Sequence, residues 1–122
     1  MTVHERNISA SIDPVKLNRL AEVAIKVGLQ LKPGQDLLLT APAVALPLVR
    51  KIAEHAYRAG AGLVTPILSD EAVTLSRYRF AQDDSFDRAA GWLYEGMSKA
   101  FAGNTAGLAI VSDSPWQSHP LA

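Results

Sequence analysis

The feature that most restricts the fold is a short run from Asp36 to Thr40, whose three central residues are leucines. A strand with one solvated face alternates between polar and apolar residues, whereas a strand buried on both faces shows a continuous apolar run. Strands of the second kind are typical of parallel sheets covered by helices. The run therefore predicts a parallel α/β architecture.

Two further apolar runs predict strands, over Leu63–Leu68 and over Leu108–Val111. Segments with helical periodicity precede and separate the three runs, which gives the order helix, strand, helix, strand, helices, strand. This order predicts a small, mostly parallel sheet of about three strands with helices on both faces and right-handed crossovers.

The first helix is predicted to begin at Pro14, with Asp13 as its N-cap, and to end at Gly28 as a left-handed C-cap. Its apolar face is predicted from spacings of three and four residues. The members of that face are Leu17, Leu20, Ala21, Ala24 and Val27. A second helix is predicted over 44–59, with Pro47 in its first turn and Gly60 ending it.

Asp70 is predicted to cap a helix from Glu71 to about Tyr78. Asp83–Asp87 is predicted to be a linker and the cap of a last helix. The spacing of four large side chains in that helix predicts core packing or a domain interface rather than a cofactor site. They are Trp92, Tyr94, Met97 and Phe101.

The predicted domain covers residues 12–115, between a polar N-terminal arm at 1–11 and a tail at 116–122. The chain stops shortly after a predicted strand, where folds of this kind usually supply another helix. We therefore expect a truncated or processed chain, with 116–122 as a loose tail.

Composition excludes several functions. Twelve basic and 12 acidic residues give a formal net charge of zero, whereas nucleic-acid-binding modules carry a basic excess. The absence of cysteine excludes disulfides, thiol catalysis and cysteine-based metal sites. Residues 1–11 lack the apolar run of a secretory signal, and the longest apolar run, 37–49, is too short to span a bilayer. The expectation is a cytoplasmic protein without nucleic-acid or membrane partners.

Four local patterns resemble catalytic motifs, and each has a simpler structural interpretation. His55 lies beside Glu54 in a helix, without the other ligands that a metal site needs, and is interpreted as a surface or boundary histidine. Asp83–Asp87 matches an acidic magnesium motif, but helix capping explains it. Ser98 lies within a predicted helix rather than in a strand-to-helix elbow. The glycines of 60–62 follow a helix and precede a strand, the opposite of a dinucleotide fingerprint.

One site hypothesis survives this comparison. Parallel sheets bind ligands beyond the carboxyl ends of their strands, and four polar residues are predicted to lie there. They are Thr40, Asp70, Glu71 and Asp113. The chain length also suits a receiver domain, but such a domain needs acidic residues after its first strand, where this chain has 40–43, Thr-Ala-Pro-Ala.

From Ile12 to about Pro115, the chain resembles the N-terminal domain of the thermophilic-aminopeptidase family of metallopeptidases. The order and spacing of several segments along the sequence carry the resemblance. These are KVGLQLKPGQD (26–36), APAVALPLVRKIAEHAYRAGA (41–61), SDE (69–71), WLYEGM (92–97) and LAIVSDSP (108–115).

The resemblance implies a cytoplasmic, homodimeric exopeptidase that releases N-terminal amino acids from peptides with two divalent metal ions, such as Zn, Co or Mg. It implies that 12–115 is the N-terminal part of a two-domain protein and that 116–122 is a loose tail or the start of a linker. It places the metal ligands in the C-terminal catalytic domain, so no catalytic, cofactor-binding or metal-binding residue is assigned here. The chain alone is then expected to be inactive and to pack against its own C-terminal domain. Two alternatives are a free-standing α/β small-ligand-binding or regulatory module, and a naturally truncated relative that acts as an interaction protein.

Overall fold

The computed structural model describes residues 13–111, which form three parallel strands with helices on both faces of the sheet. The predicted fold class is therefore confirmed. Asp113, the arm at 1–11 and the tail at 116–122 lie outside the described residues. The elements are α1 (Pro14–Val23), a π-helical turn (Ala24–Leu29), β1 (Asp36–Pro42), a 3-10 turn (Ala43–Ala45), α2 (Leu46–Arg58), β2 (Val64–Ser69), α3 (Glu71–Phe80), a 3-10 turn (Asp83–Asp87), α4 (Gly91–Ala102) and β3 (Thr105–Ala109).

The sheet has the order β2-β1-β3, so β1 lies at its centre. Leu39 of β1 pairs with Pro66 of β2 and with Leu108 of β3. β1 and β2 are close to their predicted bounds. The prediction of β3 over Leu108–Val111 was wrong by three residues, since pairing with β1 begins where Asp36 meets Thr105. The alanines and glycine of 105–109 gave that part of the strand no apolar signal.

One side of the sheet, which we call the closed face, carries Leu37, Leu39 and Ala41 and packs against α1 and α2. The core on this face consists of Ala21, Ile25, Leu31, Leu37, Leu39, Ala41, Val49, Ile52, Ala56 and Val64. Within the described residues, every buried side chain lies between Ala21 and Val64, including Leu38 and His55. The first half of the described chain therefore supplies almost all of the buried interior.

The predicted apolar face of α1 was only partly right. Leu20 and Val27 are exposed, while Ala21 and Ile25 are fully buried. The π-helical turn changes the angular spacing after Val23, so the strict 3.6-residue period used for the prediction fails at Val27. The helix ends at Gln30, which has a positive φ of 53°, rather than at Gly28.

Two turns interlock at the amino end of the sheet. The Gly34 amide donates to the Gly60 carbonyl at 2.8 Å, and the Gly62 amide donates to the Gln35 carbonyl at 2.9 Å. The Leu63 amide donates to Asp36 Oδ1 at 2.9 Å. These bonds join the turn before β1 to the turn before β2, and so they fix where both strands begin.

Candidate functional site

The other side of the sheet, which we call the open face, carries Leu38, Thr65 and Gly107. It is covered by α4: Leu93 and Met97 line the same cavity as Leu38 and Thr65. A Cβ atom added to Gly107 would lie 2.8 Å from Phe101 Cε1, so this helix approaches β3 closely. Helices α2 and α4 therefore lie on opposite faces, as expected when two crossovers of the same hand run in opposite directions across a sheet.

The open face is unfinished. Neither α3 nor α4 contains a buried residue, although both carry large apolar side chains. Phe80 at the end of α3 is 80% exposed and Trp92 at the start of α4 is 77% exposed. The other exposed apolar side chains of these helices are Val73, Tyr78, Tyr94 and Phe101. Exposed apolar side chains are ordinary when they are scattered singly, whereas a large contiguous apolar patch marks an interaction surface.

The outer surface of the helices on the closed face, α1 and α2, carries ion pairs. Glu54 of α2 accepts from Arg58 at 2.8 Å and lies 3.5 Å from Lys51. Glu22 and Lys26 form a further pair, at 3.4 Å, between α1 and the π-helical turn. Such solvated pairs contribute little stability but keep a surface soluble. The same layer also exposes large apolar side chains, among them Val15 and Val27, which are 74% and 67% exposed.

A cavity of about 360 Å3 lies between α4 and the amino ends of the strands. Its lining includes Asp36, Leu63, Thr105, Trp92 and Gly96. The sequence hypothesis had placed a ligand site at the carboxyl ends instead. There, Thr40 is a ladder residue between Ile67 and Ala109, and Asp70 Oδ2 accepts from the Val73 amide at 3.2 Å as the N-cap of α3. Thr40 thus pairs through its backbone and Asp70 caps a helix, and the hypothesis of a ligand site at the carboxyl ends stays a prediction.

His55 is the one buried polar residue of the described chain, with 7% of its surface exposed. Its Nε2 lies 2.9 Å from Asn18 Oδ1, so the pair joins α2 to α1 across the core. The interpretation as a surface or boundary histidine was wrong about its burial, because helical periodicity alone did not show that α1 packs over this turn. The contact gives His55 a structural role.

The remaining motif-like patterns also serve local structure. Asp83–Asp87 forms its own 3-10 turn, and α4 begins without a side-chain cap, so the predicted capping of that helix by this segment was wrong. The guanidinium of Arg77 holds the turn by donating to the carbonyls of Ser85 and Arg88 at 3.1 and 2.9 Å. Ser98 lies inside α4, and the glycines of 60–62 join α2 to β2, as predicted.

Metal ligands do not gather in residues 13–111: no three histidine, aspartate, glutamate or cysteine side chains lie close enough to hold an ion. In the same part of the chain, no helix has the length and apolar character needed to cross a membrane. Leu93 and Met97 line the cavity against the sheet together with Trp92, and the Phe101 ring lies against Gly107 of β3. Trp92, Tyr94 and Phe101 are nevertheless exposed, and their role in core packing or a domain interface stays a prediction.

Opposed helix layers and parallel strands define the class as a doubly wound α/β unit. The profile of the family described as thermophilic metalloprotease (M29) matches residues 14–120, and the chain belongs to that family. It is 46% identical over 99 residues to aminopeptidase T of Thermus thermophilus, covering 81% of this chain and 24% of that protein. It is 31% identical over 100 residues to aminopeptidase AmpS of Bacillus subtilis, covering 82% and 24%.

A solved structure, wild-type AmpT from Thermus thermophilus, has the same fold over this region. The TM-score is 0.78 at 45% sequence identity, and the match covers 81% of this chain and 25% of that one. The chain thus spans about a quarter of the length of the curated relatives that it matches. The family resemblance inferred from the sequence is confirmed.

Proposed function

We propose that this chain is the N-terminal accessory domain of a metal-dependent aminopeptidase that releases N-terminal amino acids from peptides. The family match carries the peptidase part of the proposal, since the relatives are aminopeptidases and the family is one of metalloproteases. The chain itself supplies no ligand cluster between residues 13 and 111. Its contribution to the enzyme is therefore structural.

The unfinished open face supports a docking role. A free-standing module would bury its large apolar side chains, whereas a domain taken from a larger protein exposes those that met its partner. Trp92 and Phe80 fit the second case. We infer that α3 and α4 pack against the C-terminal catalytic domain of the same protein and help to enclose its active site.

We propose that two divalent metal ions, such as Zn²⁺, Co²⁺ or Mg²⁺, act in that catalytic domain. Such a pair activates a bridging water and polarises the scissile carbonyl. The described residues of this chain do not fit a metal centre, and no step of the reaction is assigned to them. We further propose a cytoplasmic homodimer for the complete enzyme, on the basis of the family resemblance and of a sequence free of cysteine.

Activity and docking can be tested separately. We expect the longer protein that contains this chain to release leucine from a leucyl peptide in the presence of metal, and a chelator to stop the release. The 122-residue chain should release none. Chelator-sensitive release by the chain alone would refute an accessory role, and failure of the longer protein with all three metals would refute the peptidase assignment.

Docking is tested by a matched pair of substitutions at two exposed positions. Trp92→Glu places a charge on the open face, while Val15→Glu places one on α1, where the side chain is 74% exposed. Both should leave the melting temperature of the 122-residue chain unchanged within about 2 °C, as surface substitutions usually do. In the longer protein, only Trp92→Glu should lower it. Equal effects of the two variants in the longer protein would contradict docking through the open face.

A further inference from the structure

Strand β3 and the two residues that follow it have the composition of a strand inside a sheet rather than at its edge. Residues 105–111, Thr-Ala-Gly-Leu-Ala-Ile-Val, contain no charge and no proline. Leu108 and Ile110 pack against the core on the closed face, while Ala109 and Val111 are exposed. Apolar residues on both faces are typical of a parallel strand whose two faces are covered, and a strand without charge or proline lacks the usual features that protect a sheet edge. Within residues 13–111, however, β3 pairs with β1 alone.

The backbone bonds show which groups of β3 have no strand partner. The Asp36 amide donates to the Asn104 carbonyl at 3.0 Å, and the Ile110 amide donates to the Thr40 carbonyl at 2.8 Å. Successive residues of a strand direct their N–H and C=O groups to opposite sides, so Ala106, Leu108 and Ile110 face β1. The amides and carbonyls of Thr105, Gly107 and Ala109 therefore point away from the sheet.

The outer edge of β2 is built differently. The Leu37 amide donates to the Leu63 carbonyl at 2.9 Å, which directs the backbone groups of Val64, Pro66 and Leu68 outwards. Pro66 has no N–H, and a proline in this position is a usual means of blocking an edge strand. One edge of the sheet is thus blocked, whereas the outward backbone groups of β3 have no strand partner within residues 13–111.

The direction in which the chain crosses the sheet determines on which face the helix before a further strand would lie. The crossover from β2 to β3 passes over the open face, where α4 lies. A parallel strand added outside β3 would continue in the same direction, and a right-handed crossover would again run over the open face. Its helix would then cover Ala109 and the exposed side of Phe101, both of which now face solvent.

We propose that a strand from the part of the longer protein beyond Ala122 pairs in parallel with the free edge of β3. The relatives supply the length for this strand, since the chain spans 24% of aminopeptidase T. The proposal rests on the proposed function in one respect, namely that the chain belongs to such a longer protein. It adds the specific contact: backbone pairing at Thr105, Gly107 and Ala109.

Amide hydrogen exchange, resolved residue by residue, tests the pairing. In the longer protein, the outward amides of Gly107 and Ala109 should exchange as slowly as the inward amides of Ala106 and Leu108. In the 122-residue chain they should exchange at least about 100-fold faster than those inward neighbours, as expected of unpaired groups. Fast exchange of Gly107 and Ala109 in the longer protein would overturn the proposal.

The proposal would also be overturned if either of two other segments occupied the edge of β3. Slow exchange of the outward amides in the 122-residue chain at all concentrations would show that its own residues cover the edge. Slow exchange that grows with concentration, together with a dimer in sedimentation, would show a second copy there. Slow exchange in the longer protein alone would support the proposal even if that protein released no amino acid, so the two hypotheses can fail independently.

Proline substitutions at the two edges give a second readout that does not depend on exchange. Ala109→Pro removes an outward N–H from β3, and Leu68→Pro removes one from the blocked edge. In the longer protein, we expect the substitution at Ala109 to lower the melting temperature by at least about 5 °C more than it does in the 122-residue chain. The substitution at Leu68 should have the same effect in both. An equal effect of Ala109→Pro in both proteins would count against the added strand.

Discussion

At the scale of single residues, the glycines before β2 show how sequence segments shared with a family of enzymes can serve structure. Gly60 has a φ of +96°, and an added Cβ atom would lie 3.1 Å from Pro33 Cβ and 3.2 Å from Pro33 Cα. At Gly62, an added Cβ atom would collide with the carboxylate of Asp36, which accepts from the Leu63 amide. The two turns therefore fit together only because these positions lack side chains.

The Gly60→Ala substitution should lower the free energy of unfolding by about 2 kcal/mol, because it combines a positive φ with a contact to the Pro33 backbone. Urea unfolding of the 122-residue chain would measure this. Gly96→Ala is the matched control, since a Cβ atom there meets nothing within 4 Å and the site lies inside α4. The control should raise the free energy of unfolding by about 0.5–1 kcal/mol through helix propensity. Equal losses at both positions would show that the turns do not depend on Gly60.

At the scale of secondary-structure elements, α2 and α4 make opposite use of their side chains. Helix α2 buries Val49, Ile52, His55 and Ala56 and carries ion pairs on its outer side. Helix α4 is richer in aromatic residues, yet none of its residues is buried. The size and apolarity of the side chains therefore do not predict which of the two helices is buried. Helix α2 is, although α4 has more aromatic side chains.

We expect Ile52→Ala to cost about 2–5 kcal/mol in the 122-residue chain, because Ile52 is 1% exposed within the core. Trp92→Ala removes a larger side chain but should cost less than about 1 kcal/mol, since most of that side chain faces solvent. Chemical unfolding of both variants measures the difference. A loss at Trp92 equal to that at Ile52 would mean that α4 is part of the core.

The elements also show how much the sequence could predict. Asp13, Pro14, Pro47 and Asp70 were correctly placed at helix starts, since caps and prolines act through local backbone geometry. The start of β3 was missed because its position is set by pairing with β1, a contact distant in the chain. The end of α1 was missed because a π-helical turn breaks the period on which prediction relies.

At the scale of the whole molecule, the sequence predicted that this chain would contain no catalytic or metal-binding residues of its own. That remains a prediction. What the sequence could not show was which apolar helical side chains are buried, because this depends on the positions of all the elements. The exposure of Trp92 and the burial of His55 both follow from tertiary packing, as does the cavity at the amino ends of the strands.

Metal removal should affect the 122-residue chain and the longer enzyme differently. We expect a chelator to leave the melting temperature of the 122-residue chain unchanged, because residues 13–111 bring no ligand cluster together. In the longer protein, removal of bound metal should lower the melting temperature, since an ion bound only by the folded state stabilises that state. Calorimetry with and without chelator compares the two. A chelator-induced fall in the chain alone would reveal a site in the residues that the structure does not describe.

Among the residues that the structure describes, the buried side chains lie between 21 and 64, and this has a consequence for biosynthesis. A ribosome adds about 5–20 residues per second, and domains fold as their residues emerge. The closed face, with β1, β2 and the interlocked turns, can therefore condense while α4 and β3 are still being made. The unblocked edge is the last part of this unit to leave the exit tunnel, and the polypeptide proposed to pair with it follows directly behind. Order of synthesis thus limits the time during which the nascent protein exposes a strand edge to its neighbours.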